Sequence, residues 1–192
     1  MTKPTLDQIN VHFHKSNSCG LKSTAQSAVY GVGSASAQIV FIGEAPGKKE
    51  DEQGRPFIGA SGKMLDALCA SITLVRSDVY ITNVVKYRPP ENRDPSTQEV
   101  SDCLPWLIAE LDLIKPLLVI PLGRHALGRF APDLRISDCH GTLLNITHPI
   151  LGTLSIYPLY HPAAALYNGS LRETLFVDFA RIPILLTELT EQ

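Results

Sequence analysis

Four side chains in this sequence are of types that can act on a flat polar ligand and on the bond that carries it: Glu44, Phe57, Asn83 and His161. A carboxylate can orient or deprotonate water. An Asn amide offers an acceptor and donors, which suits the hydrogen-bonding edge of a nucleobase. An imidazole can donate to an oxygen that gains negative charge, and a phenyl ring can stack on a base. Each has a plainer alternative. Glu44 can cap the segment after it, Asn83 can be a turn residue and Phe57 a core residue. His161-Pro162 can be structural, as a second pair, His148-Pro149, is read between Gly141 and Gly152. Three of the four sit at the ends of separate apolar runs, and that joint placement favours a site.

Those runs must be strands. Ile39 to Ile42 is short, apolar and rich in branched residues, which reads as a buried parallel strand. It stops at Gly43 and enters an irregular loop holding Gly43, Pro46, Gly47, Gly54, Pro56, Gly59 and Gly62, with Glu44, Glu50, Asp51 and Phe57 among them. Val79 to Val85 is a second strand, running into a proline-rich loop that ends at Pro95-Ser96. L-L-V-I-P-L-G is a third, and Leu154 to Leu159 a fourth that ends at Tyr160-His161-Pro162. Helical spacing is expected over residues 5–15, capped by Thr5, and from Ser61 to about residue 72. A third helix starts at the Ser96/Glu99 capping box and runs to about residue 114, kinked or restarted at Pro105. A short helix spans Arg124 to Phe130, and a last one runs from about Leu171 to Leu189 with a kink at Pro183. Residues 16–37 read as an irregular crossing and 133–153 as a polar hairpin. Strands alternating with helices imply a mostly parallel sheet covered on both faces. Ligands of such sheets bind past the carboxyl ends of the strands, where Glu44, Asn83 and His161 would meet.

The chain has 192 residues, 44% hydrophobic and 19% charged, with a formal net charge of -2, the profile of one ordinary globular domain. That charge excludes no partner, since a nucleic-acid protein can confine its positive charge to one face. No charged leader precedes an apolar core, and no apolar run approaches the ~20 residues that span a bilayer. Cys19, Cys69, Cys103 and Cys139 are scattered without a C-x-x-C pair, which suits a reduced, cytoplasmic protein. The glycines do not make a phosphate loop: Gly43 to Lys48 and Gly59 to Lys63 are both too short, and neither is followed by the hydroxyl that binds magnesium.

G-E-A-P-G-K-K-E-D-E-Q-G-R-P-F-I-G-A-S-G closely resembles the first motif of the family 4 uracil-DNA glycosylases. V-Y-I-T-N-V-V-K-Y-R-P-P-E-N-R-D-P resembles their second block and L-Y-H-P-A-A-A-L-Y-N their third, in the same order and spacing. The resemblance implies a three-layer α/β/α sandwich on a four-stranded, mostly parallel sheet, acting as one domain over residues 1–192. It implies hydrolysis of the N-glycosidic bond of deoxyuridine in DNA by a monomer. By position, Glu44 would orient or activate water, Ala45 would line the pocket and Phe57 would stack on uracil. Asn83 would read its edge, His161 would donate to O2 of the leaving anion, and Glu50 would stand near C5, where a thymine methyl would clash. Ser61, Lys63, Arg88 and Arg93 are candidates for DNA contact, and Leu166, in the segment after His161-Pro162, for a wedge that fills the gap left by a flipped base. No catalytic metal is implied.

The family typically holds a [4Fe–4S] cluster on four cysteines. Here the matching positions are Ser16, Cys19, Tyr87 and Cys103, so Ser16 and Tyr87 replace two ligands and no cluster is expected. Cys19 and Cys103 are then expected to pack side by side as small apolar residues, with Tyr87 in the vacated space. Other readings left open by the residues are a non-catalytic DNA-binding descendant of the fold, a glycosylase for another deaminated base, and a nucleotide- or nucleoside-processing hydrolase.

Overall fold

The structure is a computed structural model and describes residues 4–191. Its strands are β1 (Val32–Gly33), β2 (Ile39–Gly43), β3 (Tyr80–Asn83), β4 (Leu118–Pro121), β5 (Leu144–His148) and β6 (Gly152–Ile156). Its helices are α1 (Leu6–Ser16), α2 (Lys48–Gln53), α3 (Ala60–Ser71), α4 (Thr97–Ile114), α5 (Arg124–Leu127), α6 (Ile136–Cys139), α7 (Gly169–Ala180) and α8 (Ile182–Thr190).

The strands form one sheet in the order β1-β3-β2-β4-β6-β5. The expected four parallel strands are its centre: β2 pairs in parallel with β3 and β4, and β4 with β6. The sheet has six strands rather than four because each edge gains an antiparallel strand, β1 on β3 and β5 on β6. Every residue of β2 is buried, as a strand covered on both faces requires. Its side chains alternate between two cores. Val40 and Ile42 join Trp106, Leu107 and Leu111 of α4 on one face. Ile39 and Phe41 join Leu65 and Leu68 of α3 and Leu175 and Phe179 of α7 on the other.

Local signals place most helix ends. Thr5 and Ser96 make full capping boxes with Gln8 and Glu99. The last helical stretch breaks at Arg181, and Pro183 opens the second piece in a first-turn position that tolerates it. Other expectations shift. α4 runs through Pro105 instead of restarting there. Pro105 and Ser101, whose carbonyl loses its partner four residues on, are both exposed, so water can take the bond. The loop after β2 is not wholly irregular, because K-K-E-D-E-Q forms α2 between Gly47 and Gly54. The hairpin pairs β5 with β6, so the fourth parallel strand is itself one arm of it and starts at Gly152 rather than Leu154.

Register brings the strand ends to one edge. Gly43 lies opposite Asn83 and Ile42 opposite Pro121, and Leu122 bridges Leu159 two residues before His161. Among the described residues no helix is long and apolar enough to cross a membrane.

Candidate active site

The site is built on a missing side chain. Gly43 ends β2 against Asn83. A Cβ there would lie 2.3 Å from Asn83 Oδ1 and 2.6 Å from Phe57 Cζ, so glycine alone lets these two groups converge. Phe57 is 5% exposed and has φ of +52°, a left-handed conformation that a non-glycine residue keeps only when its surroundings impose it. Arg76 donates to the carbonyls of Pro56 and Phe57. Gly62 brings α3 so close that a Cβ would stand 1.8 Å from the Phe57 carbonyl oxygen. Glu50, in the first turn of α2, accepts from the amides of Ile58 (2.9 Å) and Gly59 (2.8 Å) through Oε1.

These pieces enclose a cavity of about 160 Å³ lined by Ala45, Gly47, Glu50, Phe57, Ser61, Asn83 and His161. That is below the ~300–1,000 Å³ of a drug-sized site and suits a single ring. Asn83 is 3% exposed, and its amide takes no hydrogen bond from the described residues, which leaves it for a ligand. The rings of Phe57 and His161 lie 5.7 Å apart at 29°. Burial pushes the His161 imidazole down to about 4, so the ring is neutral near pH 7. The Ala163 amide donates to its Nδ1 at 3.1 Å, which leaves the ring proton on Nε2 as a donor.

Glu44 is not in this cavity. Its neighbour Ala45 faces the cavity, and the Glu44 side chain turns into a separate hollow with Pro95, Thr97, His125 and Arg129. Glu44 Oε1 is buried without a hydrogen-bond partner among the described residues, 3.5 Å from His125 Nδ1. Burial, reinforced by Asp94 and opposed by Arg124 and Arg129, pushes its carboxyl up to about 7. Burial also lowers His125. Ligand atoms of Glu44, Asp94 and His125 lie within 4.8 Å of one another. A cation there would compete with Arg124, which bonds both His125 (2.9 Å) and Asp94 (3.2 Å).

Ala45, Glu50, Phe57, Ser61, Asn83 and His161 therefore come together, while Glu44 stands one residue away. Lys63 is exposed on α3. Arg88 holds Asn92 Oδ1 at 2.8 Å. Arg93, its side chain half exposed, is engaged by both oxygens of Glu99, at 2.6 and 2.8 Å, and braces the start of α4. Leu166 is 41% exposed at the end of the 3₁₀ turn Pro162–Leu166, and Tyr167 beside it is 92% exposed. His125 and Asp94 escaped the sequence reading. The signal for His125 was weak, since it lies four residues beyond β4 and inside α5, where Glu44 directly follows β2.

The cluster corner does not fit a four-cysteine ligand set. Cys19 and Cys103 are buried, and the Cys19 thiol is directed at the Glu99 carbonyl at 3.8 Å. Interaction with Cys103 lowers the Cys19 thiol, while Cys19 and burial raise that of Cys103. The Tyr87 hydroxyl is buried beside them without a partner among the described residues, its ionisation pushed up by burial and by Cys103. Ser16 donates to the His12 carbonyl at 2.9 Å. Cys69 packs on the opposite face of the sheet, and Cys139 lies on α6 with its thiol on the Arg135 carbonyl. Two thiols, a phenol and a bonded alcohol are not the donors such a cluster needs.

The chain is similar to known proteins along most of its length. The uracil DNA glycosylase superfamily matches residues 30–181. A type-4 uracil-DNA glycosylase of Archaeoglobus fulgidus is 43% identical over 185 residues, 93% of this chain and 92% of that protein. One from Thermotoga maritima is 35% identical over 180 residues, 92% of each. A type-5 uracil-DNA glycosylase of Pyrobaculum aerophilum is 31% identical over 149 residues, 68% of this chain and 63% of that protein. With the family matching from ahead of β2 to the end of α7 and including every residue that lines the cavity, the chain belongs to the uracil DNA glycosylase superfamily.

Proposed function

We propose that this protein removes uracil from DNA by hydrolysing the bond between uracil N1 and deoxyribose C1′, leaving an abasic site. The observation that carries the reading is the cavity in which Phe57, Asn83, Glu50 and His161 converge on space for one ring. The base leaves the duplex and stacks on Phe57. The Asn83 amide accepts from uracil N3–H and donates to O4, a pairing that cytosine presents with the opposite polarity. Glu50 closes the side where a thymine carries its methyl group.

As C1′–N1 breaks, the electron pair goes to the base. The Nε2–H of a neutral His161 donates to O2, where the negative charge gathers, so the interaction strengthens toward the transition state. The sugar becomes cationic, water adds at C1′, and its proton passes to Glu44. Because Glu44 lies outside the base cavity, its part is at the sugar edge, as an aimed negative charge and proton acceptor. Lys63 and Arg88 contact phosphate, Ser61 contributes at the cavity rim, and Leu166 enters the gap left by the flipped base. Residues 1–192 act as one monomeric unit in the cytoplasm, where four free buried cysteines remain reduced. The protein works without an iron–sulfur cluster.

The test is excision from a labelled oligonucleotide carrying one uracil, single-stranded and opposite G or A. Alkali-sensitive cleavage at the uracil, falling at least about 10²-fold in Asn83→Ala and in Glu44→Ala, is the expected result. No cleavage in any context would sink the reading. Stoichiometric iron in the purified active protein would overturn the claim about the cluster.

A further inference from the structure

We propose that the buried ion pair Lys86–Glu110 is a positioning device for Asn83, an inference that rests on Asn83 being the residue that reads the base. Both side chains are fully removed from solvent. Neither lines the base cavity. The Lys86 ammonium has three protons and three acceptors around it: Glu110 Oε2 at 2.7 Å, the Asn83 backbone carbonyl at 2.9 Å, and the Thr82 hydroxyl. Glu110 is completed by the Tyr80 hydroxyl on Oε1 and the Thr82 hydroxyl on Oε2, both at 3.0 Å. Every member of the network is satisfied, and four of its five residues come from β3 or the turn directly after it.

The location explains the need. β3 ends at Asn83, and its last rung is spent on β2: the amides of Val84 and Val85 donate to the carbonyls of Gly43 and Glu44 at 2.9 and 3.0 Å. The ladder then stops. On its other side β1 reaches only Tyr80 and Ile81. The Asn83 carbonyl is left with no strand to pair with, and the ammonium takes the place of the missing amide. A buried ion pair is a poor source of stability, since an apolar pair of similar volume commonly serves as well. What this one fixes is the direction of the peptide that carries the Asn83 side chain into the cavity.

The experiment is a double-mutant cycle on uracil excision. Lys86→Met with Glu110→Gln removes both charges together and keeps an amide oxygen for Tyr80. Its kcat/KM is expected to fall roughly 10- to 100-fold, the effect of a misplacement near 1 Å. Cooperative unfolding is expected to be retained, with its midpoint lowered because the Asn83 carbonyl loses its donor. Adding Asn83→Ala to that background is expected to cost far less than it costs the wild type. A merely structural role would leave the two losses multiplicative, and that result, or full kcat/KM in the paired variant, overturns the inference. Asn83→Ala without effect in the wild type would instead overturn the underlying reading of Asn83. If the paired variant does not fold, Thr82→Val takes one acceptor from the ammonium and leaves the charges paired. Its kcat/KM is expected to drop severalfold by the same coupling to Asn83, and an unchanged value overturns the proposal.

Discussion

Gly43→Ala adds one methyl group where β2 passes beneath the cavity. The backbone there is extended strand, so alanine introduces no conformational strain and the effect is purely steric. The new carbon would sit 2.3 Å from Asn83 Oδ1 and 2.6 and 2.7 Å from Phe57 Cζ and Cε2, about 1 Å inside normal contact. Neither neighbour can yield freely. The Phe57 backbone is held through Arg76 and through the close approach of Gly62, and the Glu50 carboxylate holds the two amides after it. The Asn83 peptide is held by Lys86. Overpacking of this kind costs about 1–3 kcal/mol of stability. With the roles proposed for them, displacing the Phe57 ring or the Asn83 amide by about 1 Å costs roughly 10²-fold in kcat/KM. Urea unfolding and single-turnover excision measure the two effects separately. Gly169→Ala, with no atom within 4 Å of the added carbon, is the control and should retain full activity. Wild-type excision and stability in Gly43→Ala would refute the geometry of the cavity floor.

His161→Ala should lower kcat by roughly 10²–10³-fold, as expected for one donor to a developing anion. Because the imidazole is held down to about 4, kcat of the wild type should show no loss from its deprotonation between pH 5 and 8, and a fall in that range that vanishes in His161→Ala would contradict the assigned proton on Nε2. Glu44 gives the opposite profile: its carboxyl is raised to about 7, so excision should rise as pH passes through about 7, and Glu44→Gln should be slow and flat in pH. The linked stability has the reverse sign. Between about pH 4.5 and 7 the folded state holds the proton that the unfolded chain has lost, so stability falls as pH rises. Glu44→Gln should therefore stabilise the protein at pH 8 relative to wild type, by at most roughly 3 kcal/mol before solvent screening is counted, as urea titrations at pH 5 and 8 will show. Lys63→Ala should lower DNA affinity and reduce the slope of log K against log salt by about 1, whereas Arg93→Ala should leave that slope unchanged because its guanidinium is occupied by Glu99.

The central strands were legible as apolar runs, and parallel pairing aligns them at one edge. Two of their ends were read too far along, at Val85 and Leu159, where the strands stop at Asn83, with the chain already bending at Val84, and at Ile156. The capping boxes at Thr5 and Ser96 were legible because both partners lie within one helical turn. α2 was not, since K-K-E-D-E-Q has no apolar stripe and is held by Glu50 accepting from the amides of Ile58 and Gly59, eight and nine residues further on. β5 was blurred because its residues alternate between half-buried and exposed at the sheet edge. Asn83 reaches the cavity from the end of β3 and His161 from beyond the end of β6, as the alignment of the parallel strands requires, while Glu50, Phe57 and Ser61 reach it from the loop and helices after β2. The direction of Glu44 was not, because adjacent loop residues diverge by backbone angles that no residue pattern encodes. The Glu110 contribution was hidden for a different reason: it reaches Lys86 from a helix 24 positions further along the chain, inside what reads as a simple apolar stripe.

The central claim is that this cavity selects and releases uracil. The most direct measurement is chromatographic identification of the free base released from oligonucleotides carrying uracil, thymine or cytosine at one position, by the wild type and by Asn83→Ala. Uracil alone, at a rate at least about 10²-fold lower in the variant, is the predicted result. Release of thymine at a comparable rate, or release of uracil that Asn83→Ala leaves unchanged, would contradict the account.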